Sequence, residues 1–167
     1  MRNNQPITNR EKPIPAGATL VSKTDPKGVI TYASKDFSDI SEYDNAAMVG
    51  EPHNIVRHPE MPQAAFADLW DRVRNGHPWR GLVKNRASSG DHYWVDAQVA
   101  PQYRNGRLSG FMSVRRPPVR AEVDAAEALY AVLNKQGKEA KVDQRSALRR
   151  MLNSIPISKR LGFLVVG

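Results

Sequence analysis

The feature that most constrains this chain is a set of three β-prone runs, Trp79–Arg86, His92–Pro101 and Leu108–Arg115, joined through Ser88-Ser-Gly-Asp91 and Asn105-Gly106. Connections this short allow only antiparallel neighbours, so the spacing predicts a meander. Two shorter runs within Leu20–Tyr32, with Pro26 and Gly28 in turn positions, predict a hairpin before it. Between hairpin and meander, residues 34–61 hold short helix-compatible pieces at Asp36–Ile40 and Asn45–Val49, broken by Gly50, Pro52 and Pro59. Pro62 then opens a stretch in which Phe66, Leu69, Trp70 and Val73 recur at helical spacing up to Asn75-Gly76. Hairpin, short helices, one longer helix and three strands make an α+β domain, an antiparallel sheet with helices gathered on one face.

The flanks have a different character. Residues 1–17 carry Pro6, Pro13 and Pro15 without periodicity and are expected to form a mobile arm or cap to a core spanning 18–118. After Pro117-Pro118, residues 119–167 read as a helical basic tail. Val123, Ala126, Leu129, Tyr130 and Leu133 mark a helix outside the sheet domain, and Val142, Ala147, Leu148, Met151 and Leu152 mark a second. The 167-residue chain has net charge +8, and Lys135 to Arg160 contains eight basic and two acidic residues, so much of the excess lies in this tail. An anionic membrane surface explains it at least as well as nucleic acid, for which no helix-turn-helix or aromatic platform is present. The apolar Leu161–Gly167 after Lys159-Arg160 is what the start of a membrane anchor would look like. Met1–Lys12 is too polar for a signal peptide, so a cytoplasmic location is expected. Absence of Cys excludes disulfides, thiolate metal sites and any cysteinyl adduct.

The densest set of chemistry-bearing residues is Gly50-Glu-Pro-His-Asn-Ile-Val-Arg-His-Pro-Glu-Met-Pro62. Arg57 offers a planar fork for phosphate or carboxylate, and His58 can donate or accept, a pairing suited to a nucleotide cofactor. The residues alone leave an ordinary exposed loop as the other reading. In the next strand Trp79, Gly81, Val83 and Asn85 share a face, placing a stacking surface and an amide on one wall. Plain core packing of Trp79 and a strand-end hydrogen bond for Asn85 remain open there. Tyr93, Val95, Ala97 and Val99 belong inside. Trp94, on the otherwise polar side, asks for a cover such as the N-terminal arm or a second subunit. No phosphate loop, nucleophile elbow or metalloprotease motif is present, and no enzyme is expected.

Residues 18–116 resemble a PAS sensor domain. The stretch Pro52–Trp70, with Pro78-Trp79-Arg-Gly-Leu-Val-Lys-Asn85 and Gly90-Asp-His-Tyr-Trp94, is similar to the FAD-binding PAS domains of bacterial aerotaxis receptors. The resemblance implies a five-stranded antiparallel sheet flanked by short helices around non-covalently bound FAD, whose redox state reports on oxygen or respiration. By the same resemblance Arg57 and His58 serve FAD retention, Trp79 lies beside the flavin, and Phe66 and Asn85 line its pocket. Glu60 stands where the family usually has Asp and, keeping the charge on a longer arm, is carried over as a cofactor-binding residue; Ser34 stands where the family has Asn, lacks the amide and is not carried over. The resemblance further implies a membrane anchor, a HAMP-like region and a kinase-control domain beyond the sensor, chemotaxis signalling, and a position at the cytoplasmic face of the inner membrane. A homodimer is expected. The rival expectations are a cofactor-free PAS module for dimerisation or partner binding, and a haem site built on His58 or His53.

Overall fold

The computed structural model describes residues 2–137. Their order is β1 (Leu20–Thr24), β2 (Ile30–Ala33), α1 (Lys35–Ser41), α2 (Asn45–Met48), a 3-10 turn (His53–Val56), α3 (Gln63–Arg74), β3 (Trp79–Arg86), β4 (His92–Arg104), β5 (Arg107–Arg116) and α4 (Arg120–Gln136). The strands form one antiparallel sheet in the order β2-β1-β5-β4-β3, so the hairpin joins the meander through β1 and β5. The expected sheet and its short helices are present. The second tail helix and the apolar terminus expected from the sequence lie outside the described residues.

Local chemistry sets the element ends. Ser34 starts α1 by accepting from the Phe37 backbone N–H at 3.3 Å while also accepting from Val21 N at 3.0 Å, which ties the helix to β1. Pro62 precedes α3, and Asn75-Gly76 ends it with Gly76 at φ 82°. Asn105 and Gly106 both have positive φ, the conformation of a two-residue hairpin turn whose twist matches the flanking strands. At Gly110 a β-carbon would overlap the Thr24 carbonyl oxygen, so glycine is what lets β5 pair closely with the end of β1.

The two sheet faces have different covers. On the inner face Leu20, Tyr93, Val95, Ala97 and Phe111 pack with Phe37, Met48, Leu69 and Val73 from the helical side. The outer face is covered by α4, the helix that periodicity placed outside the domain. Tyr130 stacks on Trp94 at 6.2 Å between ring centroids and donates its hydroxyl to Leu82 O at 2.5 Å, and Val123, Ala126 and Leu133 are buried. Trp94 on the polar side was the correct signal of a cover. The cover is neither the arm nor a second subunit but the chain's own helix.

The first residues pack against the domain as a cap instead of standing free. Thr8 N donates to Gly90 O at 2.9 Å, His92 N to Arg10 O at 2.9 Å and Lys12 N to His92 O at 2.7 Å. Arg86 Nε donates to Pro6 O at 2.7 Å, and Arg120 bonds Glu11 at 2.7 Å. These bonds satisfy backbone groups at the β3–β4 turn that would otherwise face water.

Candidate functional site

Between the inner sheet face and the helical side lies a cavity of about 240 Å³. Cross-strand register explains its floor. One row runs Trp79–Val99–Ser113–Ser22 and the next Gly81–Ala97–Arg115–Leu20, all on the inner face. Gly81 and Ala97 are small, so the second row leaves space over the sheet. A β-carbon at Gly81 would lie 2.5 Å from the Trp79 indole, which therefore folds flat across its own strand. Its Nε1 donates to Asp68 Oδ2 of α3 at 2.9 Å, which fixes the ring. Phe66, Leu69 and Trp70 of α3 form the opposite wall, with Phe111 beside Trp70 at 5.4 Å. The exposed lining residues Lys27, Pro52 and Asn54 mark the mouth.

Two guanidinium groups face this apolar space. Arg57, from the loop after the 3-10 turn, lies 3.9 Å over the Phe66 ring centroid, and its Nε and one terminal nitrogen are buried without hydrogen-bond partners. Burial lowers its pKa to about 10. Arg115 is 3% exposed and reaches from β5 to Ser22 Oγ and His53 Nε2, each at 2.6 Å, with Phe37 4.4 Å beneath it. Its other terminal nitrogen has no partner, and desolvation brings its pKa down to about 10. Burial, with Arg115 adding to it, pushes His53 down to about 3, so its imidazole is neutral at physiological pH and Nε2 accepts from the arginine. No aspartate or glutamate lines the cavity among the described residues. Removing a charge from water without a partner is costly, so such a site favours an anionic or carbonyl-rich guest.

The structure divides the residues predicted from sequence. Arg57, Phe66 and Trp79 line the cavity together. Asn85 is buried further along β3, opposite Tyr93, where its backbone bridges to Arg57; it supports the loop from behind. His58 is fully buried outside the cavity wall. Its Nδ1 accepts from Glu60 N at 3.1 Å, and burial, with Lys84 nearby, lowers its pKa to about 4. Glu60 is exposed on the outer side, 3.4 Å from Lys84, with its carbonyl accepting from Asn134 of α4 at 2.6 Å. For haem, His53 Nε2 is engaged and His58 lies behind the wall, so neither offers a free ring nitrogen to the space. Among the described residues no cluster of His, Asp and Glu could hold a metal ion.

Arg115 and Ser22 were not found from the sequence. A signal existed for Arg115: in β5 it alternates with Ser113 and Phe111, and a cation on a strand face shared with Phe111 is out of place in a plain core.

The ring end of FAD fits these residues. Aromatic walls at Trp79 and Phe66 suit a planar ring, and the orphaned donors of Arg57 and Arg115, with the unpartnered Thr24 hydroxyl, suit its carbonyl-bearing edge. A cavity of about 240 Å³ is smaller than the ~300–1,000 Å³ of sites that enclose drug-sized ligands, so the nucleotide portion would extend beyond it.

Comparison with known proteins agrees with this architecture. Residues 30–115 match the model of the PAS fold family. The chain is 40% identical over 164 residues to the aerotaxis receptor of Escherichia coli (strain K12), covering 96% of this chain and 32% of the receptor. It is 26% identical over 100 residues to a nitrogen fixation regulatory protein of Klebsiella pneumoniae, covering 59% of this chain and 20% of that protein. The chain thus spans about a third or less of these relatives, neither of which is named as an enzyme. Similar solved structures include a PAS domain from Colwellia psychrerythraea (TM-score 0.56, 20% identity, 61% of this chain and 87% of that one). A light-oxygen-voltage domain described with a flavin analogue gives a TM-score of 0.56 at 18% identity, over 71% of this chain and 87% of that one. Among the described residues no helix is long and apolar enough to cross a membrane. Sheet order, cavity position and sequence agreement lead to one assignment: the chain belongs to the PAS family and is a sensor domain related to aerotaxis receptors.

Proposed function

We propose that this domain binds FAD non-covalently and acts as a redox sensor for chemotactic signalling. The observation that carries the reading is the cavity itself, aromatic on two walls and lined by two buried guanidinium groups without a carboxylate. Its resemblance to aerotaxis receptors supports the same choice. When bound, the flavin supplies reversible electron uptake, and with no Cys anywhere in the chain the adduct chemistry of thiol-dependent flavin sensors is excluded.

The chain's own residues would then divide the work. Trp79, fixed by Asp68, stacks on the ring, and Phe66 holds Arg57 over the mouth side. His58 and Asn85 keep the Arg57 loop in place from outside the cavity, one through Glu60 N and the other through its backbone bridge. Glu60 acts at the outer surface, joining the loop to Lys84 and α4. A change of charge in the cavity is felt first by Arg57 and Arg115, and through the strands by the helix on the far face. The domain would work as a homodimer on the cytoplasmic side of the inner membrane, coupled to a HAMP and kinase-control region or a separate chemotaxis protein, with the basic tail at the lipid surface.

The visible spectrum of freshly purified full chain tests this. Two flavin bands that bleach with dithionite, at near one flavin per chain, are expected. A colourless protein that does not take up added FAD would overturn the reading, and a Soret band would replace it with haem.

A further inference from the structure

The feature the family resemblance leaves unassigned is Arg115. It is a buried cation in the cavity floor, and neither neighbour that binds it carries negative charge. Ser22 is a hydroxyl, and His53, stacked on Phe37 at 5.8 Å, uses its ring nitrogen as an acceptor. In the register Arg115 pairs with Ala97, and both line the cavity, while the Trp79 indole fills the space over Gly81 in the same row. Ser22, His53 and Phe37 hold one terminal nitrogen and the plane of the group, while the other terminal nitrogen is left without a partner. Elsewhere in the same sheet Arg80 is held by Asp96 through two hydrogen bonds, so the chain can supply a carboxylate to a sheet arginine and at Arg115 does not.

We propose that Arg115, positioned by His53 and Ser22, is the counter-charge of the bound ring: it donates to the carbonyl-bearing edge through its free N–H and favours the reduced form over the oxidised one. This rests on the flavin reading above. The charge to be matched appears when a donor such as dithionite adds two electrons and one proton, which changes the net charge on the ring by −1. A fixed cation in a dry site stabilises that state, while water, able to reorient around either form, discriminates less.

The experiment is a reductive titration of the full FAD-loaded chain with dithionite against a reference dye, comparing the parent with Arg115→Met and Arg115→Lys. Arg115→Met should bind reduced flavin at least tenfold less tightly relative to oxidised flavin, a fall in midpoint potential of about 30 mV or more for a two-electron couple. Arg115→Lys, which keeps the charge, should recover most of that. A yellow Arg115→Met protein with the parent's potential overturns the proposal alone, whereas a parent that never takes up flavin overturns the flavin reading with it. If Arg115→Met retains too little flavin to titrate, thermal melting of the flavin-free proteins decides. Removal of a buried charge that has no counter-ion should raise the melting temperature above the parent's, and a lower one would make Arg115 a structural residue and refute the assignment.

Discussion

On the outer face of the sheet Arg80 is bound at 2.7 and 3.1 Å by Asp96, Lys84 lies 3.4 Å from Glu60, and Trp94 is stacked under Tyr130. On the inner side, Arg115 of β5 and Arg57 of the loop above it meet aromatic rings, a serine and a neutral histidine, and Arg57 Nε and one terminal nitrogen of each are buried without a partner. One face pairs these cations with the chain's own carboxylates, and the other leaves buried guanidinium donors without partners. Buried polar groups are paired in most of a protein, so cationic donors left without partners around one cavity are what the proposed guest would meet.

The most severe way to break this contrast is at the indole. Gly81→Val places side-chain atoms where the Trp79 ring lies, and Trp79→Ala removes the ring. Either should lower flavin per chain by tenfold or more in the visible spectrum of purified protein, and Trp79→Ala should also cost ~3–5 kcal/mol in chemical denaturation. Retained occupancy in both would remove the indole from the site.

A smaller effect is expected on the closed face. Tyr130→Ala should loosen α4 and destabilise the domain by ~3 kcal/mol, and Tyr130→Phe, which loses only the bond to Leu82 O, by about 1 kcal/mol in denaturant titration. Neither should change flavin content much. Equal losses of flavin from the two faces would show that they are not separable as described.

Acid–base behaviour sharpens the comparison further, because the faces titrate with opposite sign. On the outer face Glu122 is fully buried with both carboxyl oxygens unpartnered, and burial, with Asp96 adding to it, raises its pKa to about 7. The folded chain therefore holds that proton where the unfolded chain has released it, and stability declines as pH rises from about 4.5 to about 7. His53 and His58, lowered to about 3 and about 4, act the other way: the unfolded chain takes up protons first, so their contribution is present above pH 6.5 and is lost on acidification. The melting temperature of Glu122→Gln minus that of the parent should be near zero at pH 4.5, grow through pH 7 and then level off. A flat difference would exclude Glu122 as the titrating group. The smallest effect belongs to the Lys84–Glu60 pair, whose carboxylate is 55% exposed: Glu60→Gln should cost no more than ~1 kcal/mol by denaturation, and less in high salt.

Much of the fold was legible because strands and turns in this chain carry local signals. The run Trp79–Arg86 is β3 to the residue, and Asn105-Gly106 marks the β4–β5 turn through a backbone preference that no tertiary contact needs to supply. Helix α4 was equally visible, but its position was not, since periodicity reports that a helix has an apolar stripe and is silent on which surface receives it. Trp94 is the other half of that contact: an aromatic on a polar strand face signals a cover without saying which element supplies it. In the site, Trp79 and Gly81 were readable together because both lie on one strand. Arg115 joins them only through pairing of β3 with β4 and β4 with β5, a relation between residues far apart in sequence. His58 shows the converse. A histidine beside Arg57 in a Pro-rich loop has the composition of a ligand, and its burial behind the wall depends on how that loop turns.

The loop from Asn54 to Glu60 has one more property. Its backbone carbonyls receive the Asn4 amide at Asn54 and Arg57, at 3.0 and 2.8 Å, and the Asn134 amide at Glu60, at 2.6 Å. Seven consecutive residues are thus moored at both extremities of the described chain, and the same seven carry the arginine that overhangs the cavity. Should that stretch shift by the length of a hydrogen bond, the leading and trailing segments would have to follow or let go, so news of an event in the interior has two exits and needs no long relay to reach either.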